Sequence, residues 1–141
     1  MTAAEDRLAG WRQAMSTAGL AADAVEHGDF TEASGEAAAR ALMERHPDID
    51  GLVVASDLMA AGALKVLAEL GRRVPDDIAV VGFDDLGVAE RTSPALTTVR
   101  QPVDEMAERA TRLLLERVDE PGSSRPMRVI IPPTLIRRAS A

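Results

Sequence analysis

Two apolar runs in this chain of 141 residues end abruptly in polar groups. "GLVVAS" at 51–56 delivers Ser56 and is followed by Asp57; "IAVVGF" at 78–83 is followed by Asp84 and Asp85. Continuous apolar runs of this length read as strands buried on both faces, and in open parallel sheets ligands bind beyond the carboxyl ends of the strands. If the two strands are neighbours, a hydroxyl and three carboxylates converge on one edge. Such a set can accept hydrogen bonds from a polar ligand, hold a divalent cation, or cap the elements that follow. Asp57 precedes a helix and Asp85 can close a turn, so capping is the expectation for both. Asp84, directly after the strand, is equally compatible with a ligand contact.

Other chemistry finds little support. A receiver-type phosphoacceptor site needs a lysine at another strand end, and the single lysine, Lys65, falls in mid-helix. A Mg²⁺ site could draw only on Asp57 with Asp84 or Asp85, which makes a metal-dependent phosphotransfer enzyme the alternative from a different class. There is no cysteine, so disulfides and thiolate metal sites are excluded. His27 and His46 are far apart, and neither stands near a convincing nucleophile. The expectation is a chain that is not an enzyme and holds neither metal nor cofactor. A net charge of −7 with no basic stripe argues against direct nucleic-acid binding. No apolar run approaches a membrane span and residues 1–10 carry no export signal, so a cytoplasmic location is expected.

The elements that must position these groups alternate in period. Leu8, Trp11 and Met15 are spaced as on a helix, which Gly19 ends. A short strand is expected through "AVEHG" at 24–28. A helix then follows with Thr31 or Ser34 as N-cap, broken at Pro47-Asp48. After "GLVVAS", Asp57 can cap a helix that stops at Gly71, and "VPDD" turns into "IAVVGF". "LTTVRQ" reads as a third strand, leading into a helix over 103–118 with Met106, Ala110, Leu113, Leu114 and Val118 on one stripe. "DEPGSSRP" is a loop, and the chain closes with "MRVII", Pro132-Pro133 and "TLIRR". Alternation with short connections predicts an α/β fold, a parallel sheet flanked by helices. Opening on a helix without a feeding strand fits either a helix-first variant or the back end of a longer protein.

"RLAGW", "GDFTEASG", "VVASDLMAAGALKVLAELGRRVPDDIAVVGFDD" and "SPALTTVRQP" stand in an order and spacing that resembles the second half of a lactose-repressor/galactose-repressor (LacI/GalR) family transcriptional regulator. The resemblance covers roughly residues 5–139. It implies a periplasmic-binding-protein-like second lobe lacking its opening strand, most of the first lobe and the DNA-binding head. Residues 1–100 would form the effector-binding lobe, 101–131 a crossover belonging to the first lobe, and 132–141 a returning strand and tail. Operator DNA would be contacted only through the absent head.

The resemblance also assigns roles. Arg7 matches an arginine that binds effector hydroxyls or carboxylates, and Phe30 an aromatic lying against a sugar ring or nucleobase. Ser56 stands where sugar-binding members usually carry asparagine, so the identity of the effector is put in doubt more than its binding. Asp84 matches the acid that accepts hydrogen bonds from effector hydroxyls, and Gln101 lies where the chain crosses between lobes. A homodimer is implied through Ala61, Leu64 and Lys65 together with Ala89 and Thr92. The expected function is sugar-type effector sensing and dimerisation in a regulator; a soluble sugar-binding protein of the same fold is the alternative. With the first lobe absent, the stripe on helix 103–118 is expected to pack against a second copy or fold back over the sheet.

Overall fold

The computed structural model describes residues 3–119 and 129–141. Its elements run α1 (Ala3–Thr17), α2 (Glu32–Arg45), β1 (Gly51–Val53), α3 (Asp57–Glu69), β2 (Ala79–Asp84), β3 (Thr97–Arg100), α4 (Val103–Asp119) and β4 (Thr134–Ile136). The strands form one sheet in the order β1-β2-β3-β4. β1, β2 and β3 are parallel, with Leu52 opposite Val80 and Gly82 opposite Thr98. β4 closes the edge antiparallel to β3, so the sheet is mixed where the apolar runs alone suggested a parallel one.

Expectation and structure differ in several places. "AVEHG" forms no strand: β1 is an edge strand, and no backbone ladder partner among the described residues reaches 24–28. The runs "GLVVAS" and "IAVVGF" are not buried on both faces. Val53 is 66% exposed while Leu52 is buried, and in β2 only Val80 and Gly82 are buried. The helical layer of α2 and α3 covers one face. Of "MRVII", Met127 and Arg128 lie outside the described residues, as does the "DEPGSSRP" loop except Asp119, and 129–131 carry no strand. The stripe on α4 does not fold back over the sheet: Met106, Leu114 and Val118 remain exposed, although the helix spans the expected residues. No helix among the described residues is long and apolar enough to cross a membrane.

The core lies between α3 and the sheet. Leu67, Ile78, Val80 and Leu96 are fully buried there, with Leu52, Leu64, Ala60 and Ala89 around them. α3 is held to α2 by a close crossing in which both helices present glycine. A Cβ on Gly35 would overlap the Met59 backbone, and one on Gly62 would overlap the Glu32 carbonyl. Alanine is the better helix former by about 1 kcal/mol, yet backbone has nowhere to retreat at this crossing. Gly62→Ala is therefore expected to lower stability by about 1–3 kcal/mol, seen as a lower urea midpoint.

The turn into β2 is built on an ion pair. Asp77 accepts from the Arg73 amide at 2.8 Å and from its guanidinium at 2.6 and 3.0 Å. These bonds to Arg73 lower the Asp77 carboxyl to about 2. Its stabilising effect is present above the ordinary value of 3.8 and fades as pH falls through the folded one. Carboxyl NMR titration should find the low midpoint, and Arg73→Ala should return it toward 3.8.

Candidate functional site

The parallel register of β1 and β2 places Ser56, Asp57, Asp84 and Asp85 beyond the same edge, joined by Gln101 after β3. Their roles divide. Ser56 has extended backbone (φ −153, ψ 161), as an N-cap requires, and its Oγ accepts from the Met59 amide at 3.3 Å. It is buried, and its hydroxyl serves α3. The capping role expected of Asp57 thus falls to Ser56.

Asp57, one residue on, turns inward and is also buried. Its Oδ1 accepts from Thr98 Oγ1 at 2.6 Å and its Oδ2 from the Asp85 amide at 2.8 Å. Gly82 makes room for it: a Cβ there would strike Asp57 Oδ1 and Leu96. Burial pushes the Asp57 carboxyl above its ordinary value, opposed by those two hydrogen bonds and reinforced by the charges of Asp84 and Asp85.

Asp84 behaves differently. Its Oδ1 accepts from Gln101 Nε2 at 2.6 Å and lies 3.7 Å from Arg7 Nη2. Among the described residues no donor engages its second oxygen, and the side chain is 24% exposed. An ionised carboxylate has about four acceptor positions, so hydroxyls of a bound molecule can be taken up there.

Arg7 comes from α1. Its Nη1 donates to the Ala55 carbonyl at 2.6 Å, beyond β1. The guanidinium stacks 3.9 Å from the Phe83 ring centroid and 5.9 Å from that of Phe30. Carbonyl, carboxylate and two aromatic faces hold its planar fork in one orientation.

Phe30 is presented by local chemistry. Thr31 caps α2 by accepting from the Ser34 amide, and Asp29 accepts from the Thr31 amide and hydroxyl at 3.1 and 2.6 Å. The Thr31 bonds lower the Asp29 carboxyl below its ordinary value. Between these anchors Phe30 adopts φ +70 and stays 42% exposed, an aromatic face open to solvent beside Arg7.

The structure thus brings together Arg7, Phe30, Asp84 and Gln101, and keeps Ser56 beneath them as a cap. Phe83 joins the group without having been singled out. A strand residue beside a carboxylate gives no sign that an arginine from another helix will stack on it. Of the residues expected at a dimer surface, Leu64 and Ala89 pack in the chain's own core, 6% and 0% exposed. Ala61 and Thr92 are half-buried, and Lys65 is exposed and paired with Glu36 at 2.7 Å.

The model of the periplasmic binding protein-like domain matches residues 1–141. The chain belongs to this domain family. It is 45% identical over 142 residues to the HTH-type transcriptional regulator CelR of Thermobifida fusca, covering 99% of this chain and 42% of the relative. The structure of a transcriptional regulator CelR–cellobiose complex superposes with a TM-score of 0.91 at 45% identity, over 96% of this chain and 42% of that one. The Lac repressor bound to ONPG in its repressed state gives a TM-score of 0.90 at 28% identity, over 99% of this chain and 42% of that one. The chain thus spans less than half the length of these three relatives.

Proposed function

We propose that this chain is the effector-sensing portion of a LacI/GalR-type transcriptional regulator, that it is not an enzyme, and that its effector is a small saccharide. The observation that carries this is the half-satisfied Asp84 carboxylate, fixed by Gln101 and Arg7 beside the open face of Phe30. Sugars present hydroxyl donors on their edges and apolar C–H faces on their rings. Asp84 Oδ2 would take the hydroxyls, Arg7 would donate to ring or hydroxyl oxygens, and Phe30 would cover a C–H face. The CelR–cellobiose structure at 45% identity supports a saccharide over a nucleobase. Residues 1–100 would form the effector-binding lobe, 101–131 the crossover and 132–141 the returning tail. DNA would be contacted by a segment outside this acidic chain, and effector binding would couple to it through lobe orientation. A second copy would pair through the surface around Ala61, Leu64 and Lys65 of α3 and around Ala89 and Thr92 in the loop before β3.

A metal-dependent phosphotransfer site does not fit. Both Asp57 oxygens are occupied by Thr98 and the Asp85 amide, and no group of three metal-capable side chains occurs among the described residues.

Cellobiose, lactose and adenine titrated into ¹⁵N-labelled protein provide the test. Saccharide-induced shifts clustered on Arg7, Phe30, Phe83, Asp84 and Gln101 are expected. Shifts with adenine alone would replace the saccharide reading. No clustered shifts with any of the three, up to solubility, would overturn the effector site.

A further inference from the structure

Asp85 reads in sequence as a second capping acid, yet no helix begins after it: residues 86–96 are turn and bend up to β3. Its side chain is nevertheless only 3% exposed and is gripped at both oxygens. Arg100 Nε donates to Oδ2 at 2.7 Å, and Arg138 Nη2 forms an ion pair with Oδ1 at 2.8 Å. Its backbone amide donates to Asp57 Oδ2 at 2.8 Å. Three distant elements therefore hold one residue: β3, the C-terminal tail and the start of α3.

Arg138 is itself anchored. Its Nη1 donates to the Leu96 carbonyl at 3.0 Å, and its amide to Thr97 Oγ1 at 2.9 Å. Two residues on, the fully buried Ser140 bridges β2 and the chain at β3. Its Oγ donates to the Val80 carbonyl at 2.6 Å and accepts from the Thr97 amide at 2.8 Å. The Ser140 carbonyl accepts from the Val80 amide at 2.8 Å.

The backbone needs such a grip. Asp84 and Asp85 have φ of +120 and +59; positive φ is uncommon for any residue with a Cβ, and although aspartate enters the left-handed region near +60 more readily than most, +120 lies outside it. Residues held there persist only where their surroundings over-determine them. A backbone relaxing toward the extended region at these two positions would redirect the Asp84 side chain away from Gln101 and Arg7.

We propose that Asp85, held by Arg100, Arg138 and Asp57, is a positioning residue that fixes the direction in which Asp84 presents its carboxylate. The tail residue Arg138 is thereby part of the effector site without touching it. This rests on the reading of Asp84 as the effector's acceptor, and the test separates the two. Asp85→Ala and Arg138→Met are compared with Arg138→Lys, which keeps the charge, and with Leu52→Ala, a core change that destabilises without touching the turn.

Two quantities are read well below each melting temperature. One is cellobiose affinity. The other, independent of ligand, is the pair of Gln101 side-chain amide signals together with the amide–α-proton couplings of residues 84 and 85. Asp85→Ala and Arg138→Met should move the Gln101 signals toward those of a free carboxamide, change both couplings and weaken cellobiose by at least about ten-fold. Arg138→Lys should restore part of each, and Leu52→Ala should change neither. Wild-type Gln101 signals and couplings in Asp85→Ala and Arg138→Met would overturn the proposal, leaving a structural role only. Failure of the wild-type chain to bind either cellobiose or lactose would instead remove the saccharide reading, while the Gln101 signals would still decide the positioning.

Discussion

Asp84→Ala is expected to weaken saccharide binding by about 100-fold, since a hydrogen bond to a charged acceptor contributes roughly 1.5–3 kcal/mol and two hydroxyls can reach this carboxylate. Its Oδ1 is already shared by Gln101 and Arg7, so the effector's share falls mainly on Oδ2. Stability should change little. The Arg7–Asp84 contact is 3.7 Å long and partly exposed, and such pairs contribute about 0–1 kcal/mol. Arg7→Ala should lose affinity too and also free the Phe83 face, because the guanidinium lies 3.9 Å over that ring. Asp84→Asn keeps one acceptor oxygen and should fall between. Calorimetric titration with cellobiose reads the effect, set beside thermal melts of each variant. A loss smaller than about three-fold in a folded Asp84→Ala would mean that this carboxylate is not the acceptor.

The strand ends were the legible part of this site. An apolar run that stops at a carboxylate is a local signal, and two such runs in parallel neighbours must deliver their ends to one edge. The direction of the helix–strand alternation then follows, as does the placement of Gln101 after β3. What local pattern does not carry is the division of labour between adjacent residues. Ser56 and Asp57 can both cap a helix. Which one does so depends on where Asp57 can turn, and that is decided by Thr98 and Asp85, 41 and 28 residues away. Asp85 likewise depends on Arg138, whose place beside it is set by Ser140 threading between Val80 and Thr97. "AVEHG" has strand composition, but a strand is a property of a pair, and no described strand lies beside residues 24–28. Apolar character in "GLVVAS" predicts burial on two faces; Val53 shows that only one is covered.

Asp57→Ala is expected to be the most destabilising of these substitutions at the site, by about 2–4 kcal/mol, since it orphans two buried donors that cost roughly 1–3 kcal/mol each. The donors are the Thr98 hydroxyl and the Asp85 amide, the second of which also helps hold the turn bearing Asp84. Asp57→Asn should cost less, because its carbonyl can still accept from one donor while its amide faces the other. The penalty should depend on pH, and its sign follows from burial. The folded Asp57 carboxyl is raised above its ordinary 3.8, mainly by desolvation, so the folded state holds its proton where the unfolded chain has released it. The stabilisation from that proton is fully present below 3.8 and is lost as pH rises through the folded value. Asp85 runs the other way: burial raises it, but Arg100 and Arg138 outweigh burial and hold it below its ordinary value. Its contribution is therefore lost on acidification, in wild type and variant alike. Urea unfolding of both proteins isolates Asp57 by difference. The wild-type advantage should be larger near about pH 4 than near about pH 7. An advantage that grows with pH would mean that Asp57 is held ionised by its donors against the cost of burial, the reverse of the balance argued here.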